Sequence, residues 1–225
     1  MITVQALFDA GAHFALARAR RHPSASPFIY STKDRTDIFD LTTTASRLEA
    51  AQDFLRSLAG KPVLFVGGKH EAVEIVKSAA LRAGSPYVAG RWIGGTLTNF
   101  KNVRKRIDRL EKLMKDRESG ELEKYTKKER LMIDREIEEL LGRFGGLRSL
   151  ADLPAALVVI DTRHEDTAVR EATQLHIPVV GLASSDCDFS LVQFPIPAND
   201  TSVKSVRFVC DALSEAYLEG KKVSK

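Results

Sequence analysis

Apolar residues recur along this chain in two alternating rhythms. Short continuous runs, "PVLFVGG" (62–68), "PAALVVID" (154–161) and "IPVVGLAS" (177–184), have the length and composition of strands buried on both faces. Between them, apolar positions fall three and four residues apart. "KHEAVEIVKSAALRAG" (69–84) repeats through Ala72, Ile75, Val76 and Ala79, and "HEDTAVREATQLH" (164–176) through Ala168, Ala172 and Leu175. "SPYVAGRW" (85–92) reads as a second short strand, and "FPIPAND" (194–200) as an extended edge segment guarded by prolines. Strands alternating with helices predict an α/β fold: a parallel sheet flanked by helices on both faces.

The ends of the chain fit this frame. Thr3 is placed to cap a short helix over "VQALFDA", stopped by Gly11. "HFALARARRHPSASP" (13–27) reads as a basic extended loop, and "PFIYSTKDRTDIFDL" (27–41) as a β-hairpin. "TTTASRLEAAQDFLRSLAG" predicts a helix through Ala45, Leu48, Ala51 and Leu55, ending at Gly60. A last helix is predicted over residues 200–220, with Asp200 as cap and Gly220 as stop.

Residues 101–150 interrupt the alternation. Phe100, Val103, Ile107, Leu110 and Leu113/Met114 hold helical spacing until it breaks near Gly120. Thr126 and Glu129 then form a capping box. Leu131, Ile133, Ile137, Leu140/Leu141 and Phe144 restore the pattern as far as Gly145-Gly146. This predicts an antiparallel coiled-coil helical hairpin at 101–150, inserted into a discontinuous α/β domain made of residues 1–100 and 151–225.

Charge adds a direction to the picture. The net charge is +4, distributed unevenly: 12 Lys/Arg against 8 Asp/Glu in residues 1–100, 15 against 11 in 101–150, and 7 against 11 in 151–225. The first two-thirds can therefore face a polyanion, while the last third is acidic. No apolar run approaches the roughly 20 residues that span a bilayer, and the N-terminus lacks the layout of a signal peptide. Cys187 and Cys210 have no metal-ligand or scaffold spacing. A soluble, reducing, cytoplasmic setting is expected.

Candidate chemistry is sparse. "VLFVGGKHEA" places Gly67, Gly68 and Lys69 between a strand and a helix, where an anion could sit. It is not a P-loop, because His70 stands where Ser or Thr is required, and it lacks the later glycines of a dinucleotide fingerprint. A nucleotide-binding protein or enzyme built on the Gly67–Lys69 turn is the alternative reading. Asp161, His164, Glu165 and Asp166 could in principle bind a metal or act as acid and base, but a polar strand-to-helix turn accounts for them better. None of the five histidines has metal-ligand spacing, and no nucleophile elbow is present.

"RWIGGTLTNF" (91–100) offers contact chemistry instead. Gly94-Gly95 permits close backbone approach, and Thr96, Thr98 and Asn99 are small and polar. Arg91 suits bidentate phosphate binding; Trp92 can stack on a base or pack the core. The run "KNVRKRIDR" continues the positive charge.

The chain resembles the bacterial S-two family of small-subunit ribosomal proteins along nearly its whole length. The most specific signs are "RWIGGTLTNF" and "FPIPAND". In order along the chain, "AGAHF", "PFIY", "LFVGGK", "YTKKERLM", "FGGL" and the segment from Leu153 to Leu182 support them. Ala15 and Leu16 depart from the family pattern, as do Ser24, Ser26, Ser184 and Phe189.

The resemblance implies a flavodoxin-like sheet with a protruding coiled-coil hairpin. It implies a non-catalytic structural protein, bound to small-subunit ribosomal RNA between head and body; no cofactor and no metal are expected for this chain. Neighbouring ribosomal proteins, S-one among them, are implied partners; membrane and DNA are not. On that basis Arg91, Trp92, Thr96, Thr98, Asn99, Lys101, Arg104 and Lys105 are the candidate RNA-binding group. Arg18, Arg20, Arg21 and His22 form a second arm. A helical-hairpin adaptor that binds only proteins is the third class, and salt dependence separates it from the RNA-binding one.

Overall fold

The structure, a computed structural model, describes residues 2–58 and 60–223. A five-stranded parallel sheet forms the centre. Its strands are β4 (Val63–Val66), β5 (Tyr87–Val88), β6 (Ala156–Ile160), β7 (Val179–Ala183) and β8 (Phe194–Pro197), in the order β5-β4-β6-β7-β8. Numbered within the sheet this is 2-1-3-4-5, the doubly wound flavodoxin-like order, with its switch point between β4 and β6. The strands are continuous apolar runs because both faces are covered.

Strict alternation sorts the strand side chains into two cores. Val63, Phe65, Val158, Ile160, Val180 and Leu182 face one side. There they meet α1 (Val4–Asp9), α2 (Leu41–Ser57), α3 (His70–Ala83) and α7 (Val203–Val223). Leu64, Val66, Leu157, Val159 and Val179 face the other, against α4 (Phe100–Glu118), α5 (Lys127–Phe144) and α6 (Asp166–Gln174). Pro195 and Pro197 sit in β8 at the sheet edge, where the missing amides cost no ladder bond on the open side.

Helices α4 and α5 occupy the predicted excursion. Val103, Ile107, Leu110 and Leu113 share a buried cluster with Ile137, Leu140 and Phe144, and Arg109 pairs with Glu136 at 3.2 Å across the two helices. Thr126 and Glu129 form the predicted capping box. The base of α5 is pinned by Gly146, since a Cβ there would lie 2.2 Å from the Tyr87 carbonyl oxygen.

Three local expectations are corrected. Phe14–Ala17, predicted as loop, forms β1, which pairs antiparallel with β3 (Thr36–Phe39) beside β2 (Ile29–Lys33). This strand shows no clean alternation of burial, so its sequence lacks a strand signature; pairing with β3 makes it one. Asp200 does not cap α7. Ser202 does so, its hydroxyl 3.5 Å from the Ser205 amide, while Asp200 turns inward toward Lys69. Gly220 does not stop α7, which runs on to Val223. Gly220 instead lets α7 approach α2, since a Cβ would sit 2.4 Å from the Arg56 carbonyl oxygen.

Two glycines at the end of α5 should therefore respond oppositely to alanine. Gly146→Ala is expected to destabilise the protein by about 1–3 kcal/mol through forced displacement of β5. Gly142→Ala, where a Cβ meets nothing within 4 Å inside a helix, should be neutral or stabilise by up to about 1 kcal/mol. Thermal unfolding of both variants checks the pair; equal losses would contradict this account of the junction.

Candidate nucleic-acid interface

The segment Arg91–Phe100 leaves β5 and enters α4 as a series of tight turns. The Thr96 amide and hydroxyl both donate to the Ile93 carbonyl, at 3.1 and 2.6 Å, and the Asn99 amide donates to Gly95 at 2.9 Å. Gly95 has φ +88°, a left-handed conformation that favours glycine.

One side chain organises these turns. Glu171 of α6 is 7% exposed and points into the loop. Its Oε1 accepts from the Trp92 indole N–H at 3.1 Å and the Gly95 amide at 2.7 Å. Its Oε2 accepts from the Leu97 amide at 2.9 Å, the Thr98 amide at 3.0 Å and the Thr98 hydroxyl at 3.1 Å. Burial pushes its pKa up, but the hydrogen bonds from Thr98, Trp92, Gly95 and Leu97 outweigh burial and hold it below the usual glutamate range.

Sequence reasoning missed Glu171, although a signal was present. Ala168, Ala172 and Leu175 define the buried face of α6, and position 171 lies on that same face. An acid there requires donors, and the neighbouring glycine-rich loop supplies them.

The candidate residues divide into two sets. Trp92 is buried and bound to Glu171; Thr96 is buried and bonded within its own turn; Thr98 bonds Glu171 through both amide and hydroxyl. Arg104 joins Asp108 at 2.9 Å, Glu111 at 3.3 Å and the carbonyls of Arg148 and Leu150 at 3.3 Å, stapling α4 to the segment after α5. Arg21 makes a bidentate pair with the fully buried Asp37 at 2.5 and 2.6 Å and also donates to Thr32. That hydrogen-bonded pairing holds the Asp37 carboxyl below its ordinary range. His22 accepts from the Ser24 amide, its own amide donates to Ser185, and its Nδ1 lies 3.9 Å from Asp188. All six serve internal contacts.

The other set is free. Arg18, Arg20, Arg91, Lys101 and Lys105 are exposed, and their side chains make no ion pair among the described residues. Asn99 is exposed at the start of α4 and accepts from the Asn102 amide group at 2.9 Å. Two clefts run along the carboxyl ends of β4 and β6. One is lined by Arg20, Lys69, Arg163 and His164 together with Asp161, Asp186 and Asp200; the other by Gly68, Arg91, Trp92 and His164 together with Glu165. Since His164 borders both, the Arg18–Arg20 arm and the Arg91 loop flank one continuous strip.

The Gly67–Lys69 turn lies within this strip at the topological switch point, where α/β proteins often bind ligands. Its anion-binding groups are already engaged. The Gly68 amide donates to Glu165 Oε1 at 2.8 Å, and the Lys69 ammonium lies 3.1 Å from Asp161 and 3.6 Å from Asp200. A Cβ at Gly68 would be 2.4 Å from the Gly90 carbonyl oxygen, so this glycine serves close packing. Asp161 (φ +64°) also accepts from the amides of Arg163 and His164 and so fixes the turn. Burial, followed by the charge of Asp161, pushes the Asp200 carboxyl up to about 7. Burial pushes the Cys187 thiol up to about 12. Asp161, Cys187 and Asp200 bring one donor atom each within 4.8 Å of one another, a set that could coordinate a cation, although Lys69 already supplies positive charge there.

Glu171 sets an acid limit on stability. Its folded pKa lies below the unfolded value near ~4.3. Its contribution is thus full above that value and is lost as pH falls through the folded value. Glu171→Gln should cost roughly 2–4 kcal/mol near neutral pH and flatten the acid limb of the stability profile. Denaturant unfolding of both proteins across pH 3 to 8 reads this; parallel profiles would contradict it.

Comparison with known proteins gives a consistent result. Residues 7–220 match the family described as Ribosomal protein S2. The small ribosomal subunit protein uS2 of Coprothermobacter proteolyticus is 42% identical over 98% of this chain and 83% of its own length. That of Microcystis aeruginosa is 39% identical over 99% and 84%, and that of Sorangium cellulosum 40% over 97% and 80%.

Proposed function

The chain belongs to the ribosomal protein S2 family, and on that premise we propose that it holds small-subunit ribosomal RNA through the strip flanked by its Arg18–Arg20 arm and its Arg91 loop. The observation that carries this reading is that Arg18, Arg20, Arg91, Lys101 and Lys105 are exposed and make no ion pair among the described residues, beside a loop held rigid by Glu171. Cations on a rigid frame suit phosphate contacts, which position a protein on RNA without reading its sequence. Trp92, Thr96, Thr98, Arg21, His22 and Arg104 act indirectly by shaping the surface that presents these cations.

The finer features follow the family resemblance. In this reading the protein sits between head and body of the small subunit and helps seat neighbouring proteins, including S-one. Helices α4 and α5 form an antiparallel coiled-coil hairpin, an insertion over residues 101–150 in a domain built from residues 1–100 and 151–225. The buried stripe on α4 and the Arg109–Glu136 pair support the hairpin.

The test is association with small subunits depleted of this protein, measured over a range of salt concentrations. Each phosphate contact contributes about 0.9 to the slope of log K against log salt for duplex-like RNA and about 0.7 for single strands. Arg18→Ala with Arg20→Ala, and separately Lys101→Ala with Lys105→Ala, should lower the slope by about one contact per active residue. Salt-insensitive association of the wild type would instead favour an adaptor that binds only proteins.

A further inference from the structure

A cationic groove shares Arg91 with the strip described above. It has a volume of about 360 Å³ and runs between α3 and the junction where α5 ends. Lys77 of α3, Arg91, Arg143 at the end of α5, and Arg148 line it, and Glu74 is the one acid among its lining residues. Lys77 and Arg91 have no ion-pair partner among the described residues, and Arg148 comes no nearer than 4.0 Å to its closest, Glu111. Arg143 is engaged by Glu139 at 2.9 Å, an i,i+4 pair that also suits the carboxyl end of a helix.

Parts of the wall are bare backbone. Gly90 and Gly142 border the groove, and a Cβ on either would meet nothing within 4 Å. The space above them is open rather than filled by packing. Open backbone beside unpaired cations admits a chain of phosphates at close range. Arg91 belongs to this groove and to the strip described above, so the two adjoin.

We propose that this groove is a second RNA seat, in which the phosphodiester backbone of a ribosomal RNA strand passes between α3 and the end of α5, held by Lys77, Arg91 and Arg148. The proposal rests on the RNA-binding reading above and extends it to residues on a different face. Excess positive charge and continuity with the Arg91 loop favour RNA over a protein segment.

The experiment uses the full chain and small subunits depleted of it, with affinity measured across a salt series. Lys77→Ala with Arg148→Ala is expected to lower the salt slope by about 1.4 to 1.8, two contacts' worth. Gly142→Glu places a carboxylate in the groove and should weaken binding. It should leave the fold intact, since Glu is a better helix former than Gly, and circular dichroism verifies this. Salt-dependent wild-type binding with an unchanged slope in the double variant would overturn the groove and leave the first strip standing. Weaker binding of the variants at unchanged slope would also overturn it, pointing to a protein partner. Failure of the wild type itself to show salt dependence would remove the RNA-binding reading, and the groove with it.

Discussion

A single buried carboxylate governs the surface of this protein. Glu171 lies on the apolar face of α6, where an ionised acid is costly unless fully hydrogen-bonded. The loop between β5 and α4 supplies those bonds through three amides, an indole and a hydroxyl. The dependence is mutual. Without Glu171 the loop's amides would be left unpaired near the core; without the loop the carboxylate could not remain charged there. The loop is thus held in one shape, and the first two turns of α4, with Lys101 and Lys105, are oriented by it.

A similar economy operates at the carboxyl ends of the strands. A parallel sheet concentrates glycine turns and helix N-termini along that edge, a setting that attracts anions. Here the protein answers with its own acids. Glu165 takes the Gly68 amide, and Asp161 and Asp200 take the Lys69 ammonium. Internal pairing closes the small-ligand site that the fold would otherwise offer, and the cations left over stand on the rim. The turn's amide and ammonium are bound internally, while Arg20 and Arg91 stay exposed beside it.

The same division explains why charge alone was a poor guide to which cations stay free. Arg18, Arg20 and Arg21 are close neighbours in the chain, yet only the third turns inward, to buried Asp37. Lys101, Arg104 and Lys105 share one helix surface, yet Arg104 reaches across to the segment after α5. In each case a basic run serves both purposes: some members hold the scaffold, and others project from it.

What the amino-acid sequence by itself determined follows from short-range physics. The period of the apolar residues sets strand against helix, and the buried runs at 62–68, 154–161 and 177–184 required a sheet covered on both sides. The capping box at Thr126 and the proline-guarded edge at β8 were equally legible, because each depends on a few adjacent residues. Tertiary structure decided whatever needed a distant partner. Phe14–Ala17 became a strand only because β3 lies beside it, and Asp200 left the helix cap for Lys69, 131 positions away in the chain. Glu171 looked like an ordinary helix residue until the fold brought Gly95 to Thr98 over it. Local patterns specify which elements form. Which polar groups end in water and which in the core depends on contacts between residues far apart in sequence, and these exist only after the chain has folded.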